Sequence, residues 1–289
     1  MVSRLGVVVV TGASGRQGGA VARHLLSAGW RVRAITRNPD GPVARALAAV
    51  GAEVVRADMM NKRELMQAFH DAYGVYSVQN FMPGGTDAEI MQGKNVADAA
   101  KATGVQHIVY GSAGTGATDT GIASWNSKLT VQAHIRALGL PLTVLRPMAF
   151  MELMTDKGFL PPVSTWSLMP KLMGQDRPLG WICVDDLGAI AARAFAEPAR
   201  FVGAELGLAA DVQSIAQCRQ IWSEVYGRPP RRFPMPVWMF RRFVGSDLLT
   251  MWRWLRTAHF DIDPTPTRSL LPTALTVREW LVRRRSSAT

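Results

Sequence analysis

Cysteine is nearly absent. The 289 residues hold only Cys183 and Cys218, too few for a disulfide framework or a cysteine-rich zinc site, and both read as packed thiols. Histidine is sparse as well, with 5 scattered residues at no metal-ligand spacing. The Asp185-Asp186 pair has no third ligand near it, so it is expected to cap a helix from Leu187, and no metal is expected. No apolar run approaches the ~20 residues of a membrane-spanning helix. The first apolar stretch runs into a helix pattern instead of a cleavage region, so a cytoplasmic protein with no membrane partner is expected. Acidic residues are outnumbered, 22 against 33 basic, for a formal charge of +11. From Arg228 onward 12 arginines face only Asp247, Asp261, Asp263 and Glu279. These arginines interleave with Trp238, Phe240, Phe243, Trp252 and Trp254 at helical spacing, which reads as amphipathic helices with a solvated basic face. No helix-turn-helix, zinc or RNA-binding pattern accompanies the charge, and a nucleic-acid partner is not favoured.

What is present is alternation. Strand-like runs at Leu5–Thr11, 31–36, 53–57, 75–78, 107–110 and 142–145 are separated by helix-like runs at 16–28, 43–50, 62–71, 87–103 and 127–138. Gly29, Gly51, Gly74, Gly104 and Gly139 follow those helices as expected left-handed caps. The alternation predicts an α/β protein, a Rossmann-type doubly wound parallel sheet with a smaller C-terminal α/β lobe. A nucleotide-binding domain is expected over 1–147 and the smaller lobe over 148–289, with the segment around 181–197 returning to the first domain. Within the second half the expected elements are a strand-to-helix step at Trp181–Gly188, a strand at 205–208, a helix at 212–226 and a rigid proline-rich connector at 228–236.

The run Val7-Val8-Val9-Val10-Thr11 stops at a corner carrying Gly12, Ser14, Gly15, Arg16, Gln17 and Gly18. Gly-x-x-Gly-x-x-Gly between a buried strand and a helix permits a tight turn and close backbone approach, while the helix N-terminus offers free N–H groups and a positive dipole end. That is a cradle for a dinucleotide pyrophosphate. The second strand ends at Arg37 with no carboxylate for the ribose hydroxyls of NAD, and a guanidinium there suits a 2′-phosphate. NADP(H) is the expected cofactor, with Asn38 and Arg33 assisting and Asp58 and Met59 near the adenine.

Thr11–Gly19, Val32–Pro39, Ile108–Ser112, Ser127-Lys128, Leu145–Glu152, His259–Asp263 and Leu275–Leu281 together resemble the NmrA-like family of atypical short-chain dehydrogenases/reductases. The resemblance implies NADP bound at the glycine corner and a C-terminal lobe that closes a substrate cleft. It also implies one of two roles: an NADPH-dependent reductase of quinones, dyes or phenolic ethers, or a non-catalytic NADP(H)-binding sensor that regulates a partner protein.

In the wider superfamily a serine and a Tyr-x-x-x-Lys pair do the chemistry. Here Ser112 matches the serine and Lys128 the lysine, but Ser124 stands where the tyrosine belongs. Serine is a poor proton donor, so the expected reaction is hydride delivery to an acceptor whose delocalised charge water can protonate. Asn80 and Phe81, after the fourth strand, are expected beside the nicotinamide. Phe81, Met82, Trp125, Met148, Phe150, Met151, Met154 and Trp166 are expected to line an apolar pocket for a flat, hydrophobic or aromatic substrate. A monomer or homodimer is expected.

Overall fold

The computed structural model describes residues 6–82, 84–155, 164–232 and 235–287. Leu5, expected to open the first strand, and Phe233-Pro234 of the connector lie outside the described residues. The first half runs β1 (Val7–Val10), α1 (Arg16–Ser27), β2 (Arg31–Thr36), α2 (Pro42–Ala49), β3 (Glu53–Arg56) and α3 (Lys62–Ala68). It continues with β4 (Ala72–Ser77), α4 (Gly85–Ala102), β5 (His107–Gly111), α5 (Ala123–Ala137) and β6 (Leu142–Pro147). The second half runs β7 (Ala149–Phe150), α6 (Met169–Met173), β8 (Leu179–Ile182), α7 (Val184–Ala196), α8 (Pro198–Phe201), β9 (Glu205–Leu208) and β10 (Asp211–Gln213). Five helices close the chain: α9 (Ile215–Tyr226), α10 (Val237–Val244), α11 (Asp247–Thr257), α12 (Thr265–Leu270) and α13 (Val277–Ser286).

Two compact units emerge. The first comprises residues up to Gly116 together with Ser124–Arg146 and Leu187–Leu206. Its sheet has the strand order β3-β2-β1-β4-β5-β6-β9, and β1 through β6 pair in parallel. Strands flanked by helices on both faces must be apolar throughout, and β1 is fully buried along its length. The core on one face joins Val9, Ile35, Leu65, Phe69, Val75, Val96, Ile108, Tyr110, Val131 and Val144. The second unit comprises Ala117–Ala123, Pro147–Asp186 and Gly207 onward, and contains a three-stranded sheet in the order β10-β8-β7.

Several expected boundaries move, each for a local reason. Gly74 is not a helix cap. It lies inside β4, where an added Cβ would meet the Phe195 ring at 2.6 Å and His107 O at 3.0 Å. The chain after α3 turns instead at Asp71, whose φ is 57°. The helix expected from Val212 starts at Ile215, because Ser214 and Gln217 form a capping box and Asp211–Gln213 pair antiparallel with β8. Asp185 and Asp186 lie within the first turn of α7, which begins at Val184. The Glu152 carboxylate accepts from the Val184 N–H at 3.1 Å, and the Asp186 carboxylate accepts from Leu275 N–H at 2.9 Å. Among the described residues no His, Cys, Asp and Glu group is placed to hold a metal ion, and no helix is long and apolar enough to cross a membrane.

Candidate functional site

The corner after β1 is shaped by what it cannot contain. Gly12 has φ 59°, in the left-handed region that glycine occupies without penalty. At Gly18 a Cβ would stand 2.3 Å from Gly12 O and 2.7 Å from Thr11 O, so α1 is packed against the turn as closely as bare backbone permits. The Thr11 hydroxyl accepts from Val78 N–H at 2.8 Å and donates to Val78 O at 3.0 Å, tying the ends of β1 and β4 together. Helix α1 starts at Arg16 after Gly15, with no side-chain cap and no acidic residue in its first turn. Its N-terminal N–H groups and dipole therefore meet no carboxylate from the helix's own first turn. Ser14 and Gly15 are exposed, Arg16 and Gln17 half-buried, and Gln17 Oε1 is 3.4 Å from the Tyr76 hydroxyl. These features fit a pyrophosphate.

Arg37 follows β2 directly, is exposed, and enters no ion pair among the described residues. Arg33, expected to assist it, is otherwise engaged. Its guanidinium donates to Glu53 at 2.8 Å, to Ala68 O at 2.8 Å and to His70 O at 2.9 Å, holding the end of α3 against β2. Asp58 closes its own turn by accepting from Met60 N–H at 2.9 Å. Half-buried Met59 packs against the core, and its carbonyl accepts from Asn95 at 3.0 Å.

Lys128 is buried, with its Nζ 2.7 Å from Gln79 O and 2.8 Å from Glu89 Oε1. Glu89 is wholly inaccessible, and its other oxygen accepts from the Ser127 hydroxyl. The sequence pattern did not single out Glu89, although it shares a helical face of α4 with buried Gly93, Val96 and Ala100. A carboxylate on such a face demands a partner. Gly93 lets that partner come close: a Cβ there would stand 2.5 Å from Val131, so α4 and α5 approach tightly one turn beyond the ion pair. Burial lowers the Lys128 pKa, and the adjacent Glu89 carboxylate opposes that shift.

At the end of β5 the Ser112 hydroxyl is buried without a hydrogen-bond partner, as are Gln79 Oε1 and the Tyr110 hydroxyl. Burial pushes the Tyr110 phenol well above its ordinary value, with the Glu89 charge adding to the shift, so it is no ready acid. Ser124 is buried one helical turn before Lys128, and its carbonyl lies 3.0 Å from the Ser127 hydroxyl.

The expected pocket residues fall into different settings. Asn80 is exposed and its side chain accepts from Met82 N–H at 3.0 Å, Phe81 is half-buried, and Met82 is exposed. Trp125 packs over Gly114, where a Cβ would meet its ring at 2.4 Å. In the second unit Met151, Met154 and Trp166 are fully buried packing residues. Trp166 donates to Met154 O at 3.2 Å and meets Trp222 edge-on at 5.5 Å. Phe150 is buried and Met148 half-buried, the latter filling the space above Gly180.

Sheet order and glycine corner define a Rossmann-type α/β protein. The chain belongs to the NmrA-like family, whose model matches residues 5–281. It is 30% identical over 260 residues to the NmrA-like family domain-containing oxidoreductase FrzB of a Cladobotryum species, covering 80% of this chain and 77% of that protein. Its fold is similar to that of NmrA, a negative transcriptional regulator solved with NADP (TM-score 0.78, 21% identity, 99% of this chain and 98% of that one). It is also similar to that of the Citrobacter triphenylmethane reductase solved with NADP(H) (TM-score 0.77, 20% identity, 97% and 99%).

Proposed function

We propose that this chain is an NADPH-dependent reductase that reduces an aromatic or quinone-like hydrophobic acceptor. The observation that carries the reading is the buried Lys128 fixed by Glu89 and Gln79 O, within one unit that also holds the glycine corner and the unpartnered Ser112 hydroxyl. Bound NADPH would supply the hydride and leave as NADP⁺, while water protonates the delocalised acceptor. Gly12, Ser14, Gly15, Arg16, Gln17 and Gly18 hold the pyrophosphate and Arg37 the 2′-phosphate. Asp58, Met59, Asn80 and Phe81 flank the rest of the cofactor. An ammonium has three donors, and with two directed at Glu89 and Gln79 O, Lys128 keeps one for a ribose hydroxyl. Ser112 offers a hydroxyl to the reacting end, Ser124 is too weak an acid to replace a phenol, and Phe81, Met82 and Trp125 supply apolar surface for the acceptor.

The oxidoreductase named among the relatives supports this reading. The test is NADPH consumption against quinones, azo dyes, triphenylmethane dyes and enones. Turnover is expected with at least one class, slowed by at least about tenfold in Lys128→Ala; an unchanged rate removes Lys128 from the reaction. A second reading, a dinucleotide sensor acting on a regulatory protein, is favoured by Ser124 in place of the phenol. Tight NADP binding with no turnover across the panel, and a specific protein retained in pulldown, would establish it instead.

A further inference from the structure

The amphipathic reading of the C-terminal arginines holds on α11, where Trp252 is buried and Arg253 and Arg256 are exposed, and fails on α10. Phe240 alone of the α10 aromatics is buried; Trp238 is 71% and Phe243 80% exposed. At about 100° per residue, Arg241, Trp238, Arg242, Met239 and Phe243 follow one another around the outer side of the helix. That side presents two guanidiniums and two aromatic rings, with half-buried Met239 between Arg242 and Phe243. From Gly227 to Ser246 the chain carries 5 arginines and no acidic residue, and Arg231, Arg232, Arg241 and Arg242 make no ion pair among the described residues.

Two rings projecting from a convex two-turn helix suit a yielding partner better than a packed one. An indole settles at the boundary between headgroups and acyl chains, a phenyl ring slightly deeper, and arginine stems run along apolar surface while their heads reach phosphate. We propose that α10, together with Arg231 and Arg232 before it, forms a docking face for an anionic phospholipid surface. The partner is fixed by charge: several guanidiniums without counter-charge match a negative leaflet, and two exposed rings alone are too little apolar area to hold a neutral one. The contact is peripheral, needs no spanning helix, and does not depend on the reductase reading.

The test is co-sedimentation of the full chain with phosphatidylcholine vesicles with and without phosphatidylserine, across a salt series. Binding is expected only to the anionic vesicles, falling as salt rises. It should drop at least about tenfold in Trp238→Ala/Phe243→Ala and again in Arg241→Glu/Arg242→Glu. Both pairs are exposed, and retained NADP binding and an unchanged Tm would show that the variants fold. Failure to bind anionic vesicles at low salt overturns the proposal. So does binding that survives loss of both rings, or binding matched by a DNA duplex, either of which would reduce the surface to a general polyanion patch.

Discussion

Gly18 has no substitute: even alanine would drive a Cβ to 2.3 Å from Gly12 O, and backbone cannot step aside as a flexible side chain does. The glycines were legible in the sequence because spacing and position carry their reason. Glu89 was less so. Its place on the apolar side of α4 is visible, but its partner Lys128 is found only once α4 and α5 pack through Gly93. Breaking a buried ion pair from one side leaves an uncompensated charge, whereas removing both partners does not. Glu89→Gln is therefore expected to lower unfolding stability by about 3 kcal/mol in denaturant titration, with Glu89→Gln/Lys128→Met costing clearly less. Additive losses would show that the two groups do not act as a pair.

Helices and strands of the first half were readable from period and punctuation, and the errors came from where an element's ends are held. Gly74 looked like a cap because it follows a helix, yet its small size serves β4 under Phe195, and the turn is made by Asp71. Ser214-Ile-Ala-Gln217 carried a capping box in plain view, but the apolar residues before it read as the same helix. The start of α7 was readable only in part: the strand-to-helix step at Trp181–Gly188 is in the sequence, but the carboxylate that accepts from Val184 N–H is Glu152, from a distant segment. Burial raises the Glu152 pKa from 4.5 to about 6, against the Val184 hydrogen bond that lowers it. Around those values the folded chain binds more protons than the unfolded one, so this carboxyl makes stability fall as pH rises, by about 2 kcal/mol once both titrations are complete. Glu152→Gln keeps an acceptor for Val184 N–H and does not titrate. Thermal melts should show wild type losing about that much relative to the variant between about pH 3.5 and about pH 7; parallel curves would exclude the cap from the pH response.

The parallel sheet was legible because βαβ alternation has few alternatives, and its strand order places the ends of β1 and β4 side by side, joined by Thr11. The second unit was legible only in part: β8 and α9 stand near where they are expected, but β7 is two residues long and β10 three, too short to show a period. Its aromatic and methionine residues gave no sign of whether they pack inward, as Met151, Met154 and Trp166 do, or project, as Trp238 does. The same limit separates the cofactor corner, built from local sequence, from the acceptor, which no local pattern names. The molecule's central claim is thus a dinucleotide held at the glycine corner and selected by Arg37. Calorimetric titration of NADPH and NADH against wild type and Arg37→Glu tests it most directly. The account predicts that wild type prefers NADPH by at least about tenfold, ~1.4 kcal/mol, and that Arg37→Glu abolishes the preference without abolishing NADH binding. Equal affinity of wild type for both dinucleotides, or a preference untouched by the substitution, would contradict it.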